Sequence, residues 1–179
     1  MILGINCFGL GQPPHVSDVA VKQSPRPITT FPSVDGRNLN RVNYSLPEDF
    51  EGQFNLIFLA FSQAQQQEID TWLPFAKAFK ENLPSAHFYE LPTLTKANRL
   101  FRNIIEGGMR SGIKDSEARA RTITLYLDRT YFLENLGISS TSSIFTLLLK
   151  HGGDVLWMAE GSYTNEKGQE VINLVQQKQ

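Results

Sequence analysis

Cysteine is nearly missing from this 179-residue chain: Cys7 is the only one. That excludes an intramolecular disulfide, a CxxC redox motif and a cysteine-based zinc site. Histidine is scarce too, and His15, His87 and His151 are too far apart to suggest a metal centre. Charge of one sign is missing: 17 Lys and Arg stand against 18 Asp and Glu, net −1, so no nucleic-acid partner is expected. Long hydrophobic runs are also lacking. Leu56–Phe61 falls far short of the roughly 20 residues that cross a bilayer, so no transmembrane segment is expected. What is there is ordinary globular composition, 41% hydrophobic and 20% charged, at a length that fits one domain.

Residues 1–28 read as an irregular tail, with Gly4, Gly9, Gly11, Pro13, Pro14, Pro25 and Pro27 and almost no periodicity. The glycines form no phosphate-binding fingerprint, because no strand-to-helix unit surrounds them. Met1–Leu10 lacks the basic region of a signal peptide, and no arginine precedes Arg26, as a transit peptide would require. The chain is therefore expected in the cytoplasm. The matrix side of the mitochondrial inner membrane is the alternative, if a transit peptide is missing. Residues 29–179 read as one domain.

Within it, Phe31–Arg37 reads as an extended piece closed by an Asp35-Gly36 turn, with Leu39–Leu46 as the second strand of a hairpin. Phe54–Phe61 is almost continuously apolar, the pattern of a central strand covered on both faces. Ser62 is placed to cap a helix in which Ile69, Trp72, Leu73, Ala76 and Phe79 recur at helical spacing, kinked by Pro74. His87–Leu91 reads as a strand stopped by Pro92. Thr95–Glu106 reads as an amphipathic helix, with Leu100, Phe101, Ile104 and Ile105 on its apolar side, broken by Gly107-Gly108. Thr122–Asp128 is an alternating strand and Tyr131–Leu136 a short helix ended by Gly137. Ile144–Leu149 and Val155–Glu160 form a hairpin, and Thr164 caps a last helix with an apolar stripe of Val171, Ile172, Leu174 and Val175. The order is hairpin, then β-α-β-α-β-α-β-β-α, which predicts parallel pairing with an antiparallel edge.

That order, closed by Leu136-Gly137-Ile138, Ile144–Leu149, Gly152-Gly153-Asp154-Val155 and Gly161, resembles the thioredoxin-like α/β fold. The resemblance implies a mixed sheet with central parallel strands, an antiparallel C-terminal hairpin, helices on both faces and an N-terminal β-hairpin extension. With Pro74 as the anchor, the two redox cysteines of that fold fall at Gln66 and Ile69, and its cis-proline at Phe145. Only a thiolate attacks a disulfide or a peroxide, so the resemblance implies neither oxidoreductase nor peroxidase activity. A cis bond before Phe145 would cost about 2.5–4 kcal/mol and is not expected. A narrower resemblance rests on Asp70-Thr71-Trp72, Tyr89-Glu90-Leu91, Met109-Arg110-Ser111-Gly112-Ile113, Tyr126 with Asp128, Leu136-Gly137-Ile138, and Trp157, Gly161 and Thr164. These motifs are similar to the mitochondrial ATP synthase assembly factor ten family. That likeness implies a chaperone for the membrane sector of F-type ATP synthase, with a membrane-complex subunit as protein partner and no cofactor. Bacterial relatives of unknown role are an equal alternative.

Residues 96–121 carry seven basic groups and three acidic, a local charge of +4 against −5 for the rest of the chain. The candidate partner-binding residues lie here: Arg110, Ser111 and Lys114 in a glycine-flanked connector, then Arg119 and Arg121. Such a patch suits an acidic partner or an anionic membrane surface; a solvated face is the plain alternative. Trp72 and Trp157 read as core before hot spot. Ser139–Ser143 is an interaction loop or a linker. A second functional class stays open, a cysteine-independent enzyme or small-molecule-binding protein with a pocket between Ser62–Gln67 and Ser139–Phe145.

Overall fold

The apolar run becomes strand β3, Phe54–Ala60, buried at every residue. It is buried because it has a sheet neighbour on each side and packed side chains over both faces. The structure, a computed structural model, describes residues 30–96 and 99–178. The expected tail 1–28 and Cys7 lie outside the described residues. Seven strands form one sheet in the order β2-β1-β5-β4-β3-β6-β7. They are β1 Val34–Asn38, β2 Asn43–Leu46, β3, β4 Ala86–Thr95, β5 Ile123–Leu127, β6 Phe145–Lys150 and β7 Val155–Glu160. β3, β4 and β5 run parallel, while β1 joins β5, and β6 joins β3 and β7, antiparallel.

Helices α1 (Gln66–Asn82) and α5 (Asn165–Lys178) lie on one face, where Ile69, Trp72, Ala76, Phe79, Val171 and Val175 join the core. Helix α4 (Arg129–Asn135) covers the other face through Phe132. Pro74 lies inside α1, and Lys167 N–H reaches the Thr164 hydroxyl at the start of α5. This is the thioredoxin-like architecture with an N-terminal hairpin. The segment entering it is strapped to the far hairpin: Thr30 bridges Asp154, and Phe31 N–H donates to the Gly153 carbonyl at 2.8 Å.

Four expected boundaries move, each for a local reason. Asp35-Gly36 is inside β1, not a turn. A Cβ on Gly36 would come within 2.6 Å of Ile123 Cγ2, so glycine serves close approach of β1 to β5. The hairpin turn is instead held by Asn38, whose Oδ1 accepts from Asn40 and Val42 N–H at 3.0 and 2.9 Å. Strand β4 runs through Pro92, which falls at the last β3 register position, before pairing passes to β5 at Thr93. Helix α2, Arg99–Gly112, continues through Gly107-Gly108; glycine weakens a helix by about 1 kcal/mol each without forbidding it. A short helix α3, Ser116–Arg121, follows, its start capped by Asp115 accepting from Glu117 N–H.

Candidate functional site

Where β3 ends and α1 begins, the fold gathers the positions that the thioredoxin resemblance singles out. A single 3-10 turn, Gln63–Gln65, leads into α1. Gln66 is its first residue and is exposed, while Ile69 is 1% exposed and packed in the core. Phe145 opens β6, with its ring 6.4 Å from that of Phe61 in an edge contact. The one cis peptide bond among the described residues is Leu46–Pro47, so Ile144–Phe145 is trans.

The residue that organises this corner is Gln65, which the sequence reading did not single out. Its side-chain oxygen accepts from the N–H groups of Phe61 and Ser62 at 2.7 and 3.2 Å, and its amide donates to the Thr141 carbonyl at 2.8 Å. Ser143 Oγ donates to the Glu68 carboxylate nearby. The Ser139–Ser143 loop is thereby tied to α1 at two points. The Thr141 carbonyl and the N–H groups of Phe61 and Ser62 are all met by the one Gln65 side chain. The space between Ser62–Gln67 and Ser139–Phe145 is occupied by Gln65 and the Phe61–Phe145 ring pair.

Beside it lies a buried carboxylate. Glu90 on β4 is 6% exposed, and burial pushes its pKa up; the Arg121 guanidinium and a hydrogen bond from Gln66 pull the other way, and Asp70 adds to the rise. Arg121 Nε stands 3.7 Å from Glu90, and its guanidinium lies 4.9 Å over the Phe88 ring. Gln66 also donates to Asp70 at 3.1 Å. Gln66, the position the resemblance gives to the first thiol, thus lies at the start of α1 beside a buried acid on the sheet.

The candidate partner residues divide. Arg110 and Ser111 are exposed on the last turns of α2, not in a connector, and Lys114 is exposed just beyond. Arg119 turns inward: Nε donates to Asn40 at 3.1 Å and Nη1 to the Ile113 and Lys114 carbonyls, fixing the α2–α3 link. Arg121 is held by Glu90 and Phe88. Trp72 is fully buried, its indole N–H donating to the Gly161 carbonyl at 3.0 Å. Trp157 is half-buried and bonded to Glu170 at 2.7 Å. Both tryptophans therefore have packing duties here. Among the described residues no group of three or more His, Cys, Asp or Glu side chains is gathered where a metal could be held. No helix among them is long and apolar enough to cross a membrane.

Comparison with known proteins agrees on the fold. The chain is similar to the solution structure of a thiol:disulfide interchange protein from Bacteroides sp., at 19% identity and TM-score 0.53, over 83% of this chain and 87% of that one. It is similar to BsSco, a member of the Sco family of cytochrome c oxidase assembly proteins, at 12% identity and TM-score 0.54, over 82% and 93%. Yeast Sco1 matches at 11% identity and TM-score 0.55, over 85% and 97%. The fold is thioredoxin-like. No family model and no curated protein matches the chain, so the likeness to the ATP synthase assembly factor ten family rests on the short motifs alone.

Proposed function

We propose that the chain is a non-catalytic thioredoxin-fold protein that acts by contact, as an assembly factor or chaperone for a membrane complex, with F-type ATP synthase as the first client to test. The observation that carries this reading is the corner at α1. The resemblance assigns the two thiol positions of the fold to Gln66 and Ile69, and Gln65 ties the flanking loop shut from within. A face held by amides and aromatic rings can present a surface but cannot pass electrons through sulfur. That BsSco is named among cytochrome c oxidase assembly proteins supports the use of this scaffold in assembling a membrane complex.

The test is affinity purification of the tagged chain from its native cells, followed by mass spectrometry. Recovery of an ATP synthase subunit, weakened by Arg110→Glu, is expected. An ATP synthase that assembles normally in a deletion strain overturns the client assignment. Insulin reduction or peroxide turnover by the purified chain overturns the non-catalytic reading itself.

A further inference from the structure

Helix α2 carries apolar side chains on its outer face. Two of its charged side chains turn to the sheet instead: Glu106 accepts from Arg37 Nη2 at 2.7 Å with its side chain 13% exposed, and the Arg102 guanidinium lies 4.6 Å over the Tyr126 ring. Three of its apolar side chains are exposed, Leu100 at 72%, Ile104 at 64% and Phe101 at 54%, while Ile105 and Met109 are half-buried on the inner face. Spacing of four residues sets Leu100 and Ile104 on one stripe, with Phe101 beside it. Further along, a Cβ added at Gly107, Gly108 or Gly112 would meet nothing within 4 Å. A helix on a water-facing surface ordinarily turns its apolar stripe inward. An outward stripe marks a face that meets something apolar.

Charge decides what that is. Lys96 stands before the stripe and Arg110 and Lys114 after it, all exposed. The only acid within α2 is Glu106, which is committed to Arg37. A second copy seated by two-fold symmetry would bring this basic set against itself. An anionic surface meets it with the opposite sign. The stripe is a convex ridge with basic ends on a helix of 14 residues, about 21 Å long, a form that beds lengthwise into a lipid headgroup layer. We propose that α2 docks the protein on an anionic bilayer, inserting Leu100 and Ile104 and setting Lys96, Arg110 and Lys114 among the headgroups. This inference stands whatever client the protein serves.

The test is flotation of the full chain with vesicles of equal parts phosphatidylcholine and phosphatidylserine, against vesicles of phosphatidylcholine alone. Partition is expected onto the anionic vesicles and is expected to fall with added salt. Ile104→Glu, at an exposed position, abolishes it. Arg110→Ala with Lys114→Ala weakens it by about 25-fold. Leu100→Trp serves as a second readout, its fluorescence shifting to the blue on anionic vesicles only. The proposal is overturned if the wild-type chain does not float with anionic vesicles, or if Ile104→Glu floats equally well. A dimer by light scattering that Ile104→Glu converts to monomer, with no flotation, overturns it in favour of a second copy. Binding to an acidic protein through Ile104, again with no flotation, overturns it in favour of a protein partner.

Discussion

Gln65 and Thr141 are 76 residues apart in sequence, yet the Gln65 amide donates to the Thr141 carbonyl at 2.8 Å. The same side chain caps the N–H groups of Phe61 and Ser62. One buried amide thus fixes the end of β3, the start of α1 and the loop before β6.

Gln65→Ala should therefore cost about 2–3 kcal/mol, since buried backbone groups are left unpaired. Urea denaturation measures the loss, and amide exchange at Phe61 should accelerate more than at Leu56. An unchanged midpoint would show that the latch is ornamental.

Cysteines introduced singly at Gln66 and Ile69 should report their different surroundings. Gln66→Cys is exposed and should react with an aromatic disulfide reagent in the folded protein. Ile69→Cys, at a position 1% exposed, should react only on unfolding. Equal rates would contradict the placement of α1 on the sheet.

Glu90 should leave a mark on pH dependence. Its pKa is raised in the folded protein above the ordinary 4.5, mainly by burial, so the folded state holds this proton more tightly than the unfolded chain. Stability from this group is then greatest at acid pH and declines as pH rises past about 4.5 towards the raised value. Unfolding free energies of wild type minus Glu90→Gln, measured from pH 4 to pH 8 in urea, should fall as pH rises. A difference that grows with pH would mean that the Arg121 charge outweighs burial.

Gly36→Ala should destabilise by about 1–3 kcal/mol. The new methyl meets Ile123 Cγ2 at 2.6 Å and Leu125 Cδ2 at 2.8 Å in the core. Thermal unfolding with an unchanged midpoint would show that β1 can move off β5 without cost.

The element order was legible because this fold writes its main strands and helices as local periodicity. Phe54–Phe61 and the α1 stripe could hardly be read otherwise. The errors fell where a tertiary contact overrides a local cue. Asp35-Gly36 looks like a turn, but its glycine is demanded by Ile123 on another strand. Pro92 looks like a stop, yet it sits where β4 changes neighbours. Gly107-Gly108 looks like a break, although α2 passes straight through. The Thr95–Glu106 pattern announced an apolar side without saying which way it points: Leu100 and Ile104 point out, while Ile105 is half-buried. Gln65 was only half legible: Ser62 and Gln65 have capping-box spacing, and the Gln65 oxygen does accept from Ser62 N–H, but its bond to the Thr141 carbonyl spans 76 residues and leaves no local trace. Arg119 and Arg121 looked like surface charge until the fold supplied Asn40 and Glu90 as their partners.

The strap of Thr30 and Phe31 against Asp154 and Gly153 has a mechanical consequence. The described chain enters the fold bound to the β6–β7 turn, and only afterwards forms β1 on the other side of β3. A pull on the chain from its amino-terminal side therefore loads the Phe31–Gly153 hydrogen bond before it reaches the β1–β2 ladder. Tension is taken up by the carboxy-terminal hairpin first, and the amino-terminal hairpin is shielded until that contact gives way.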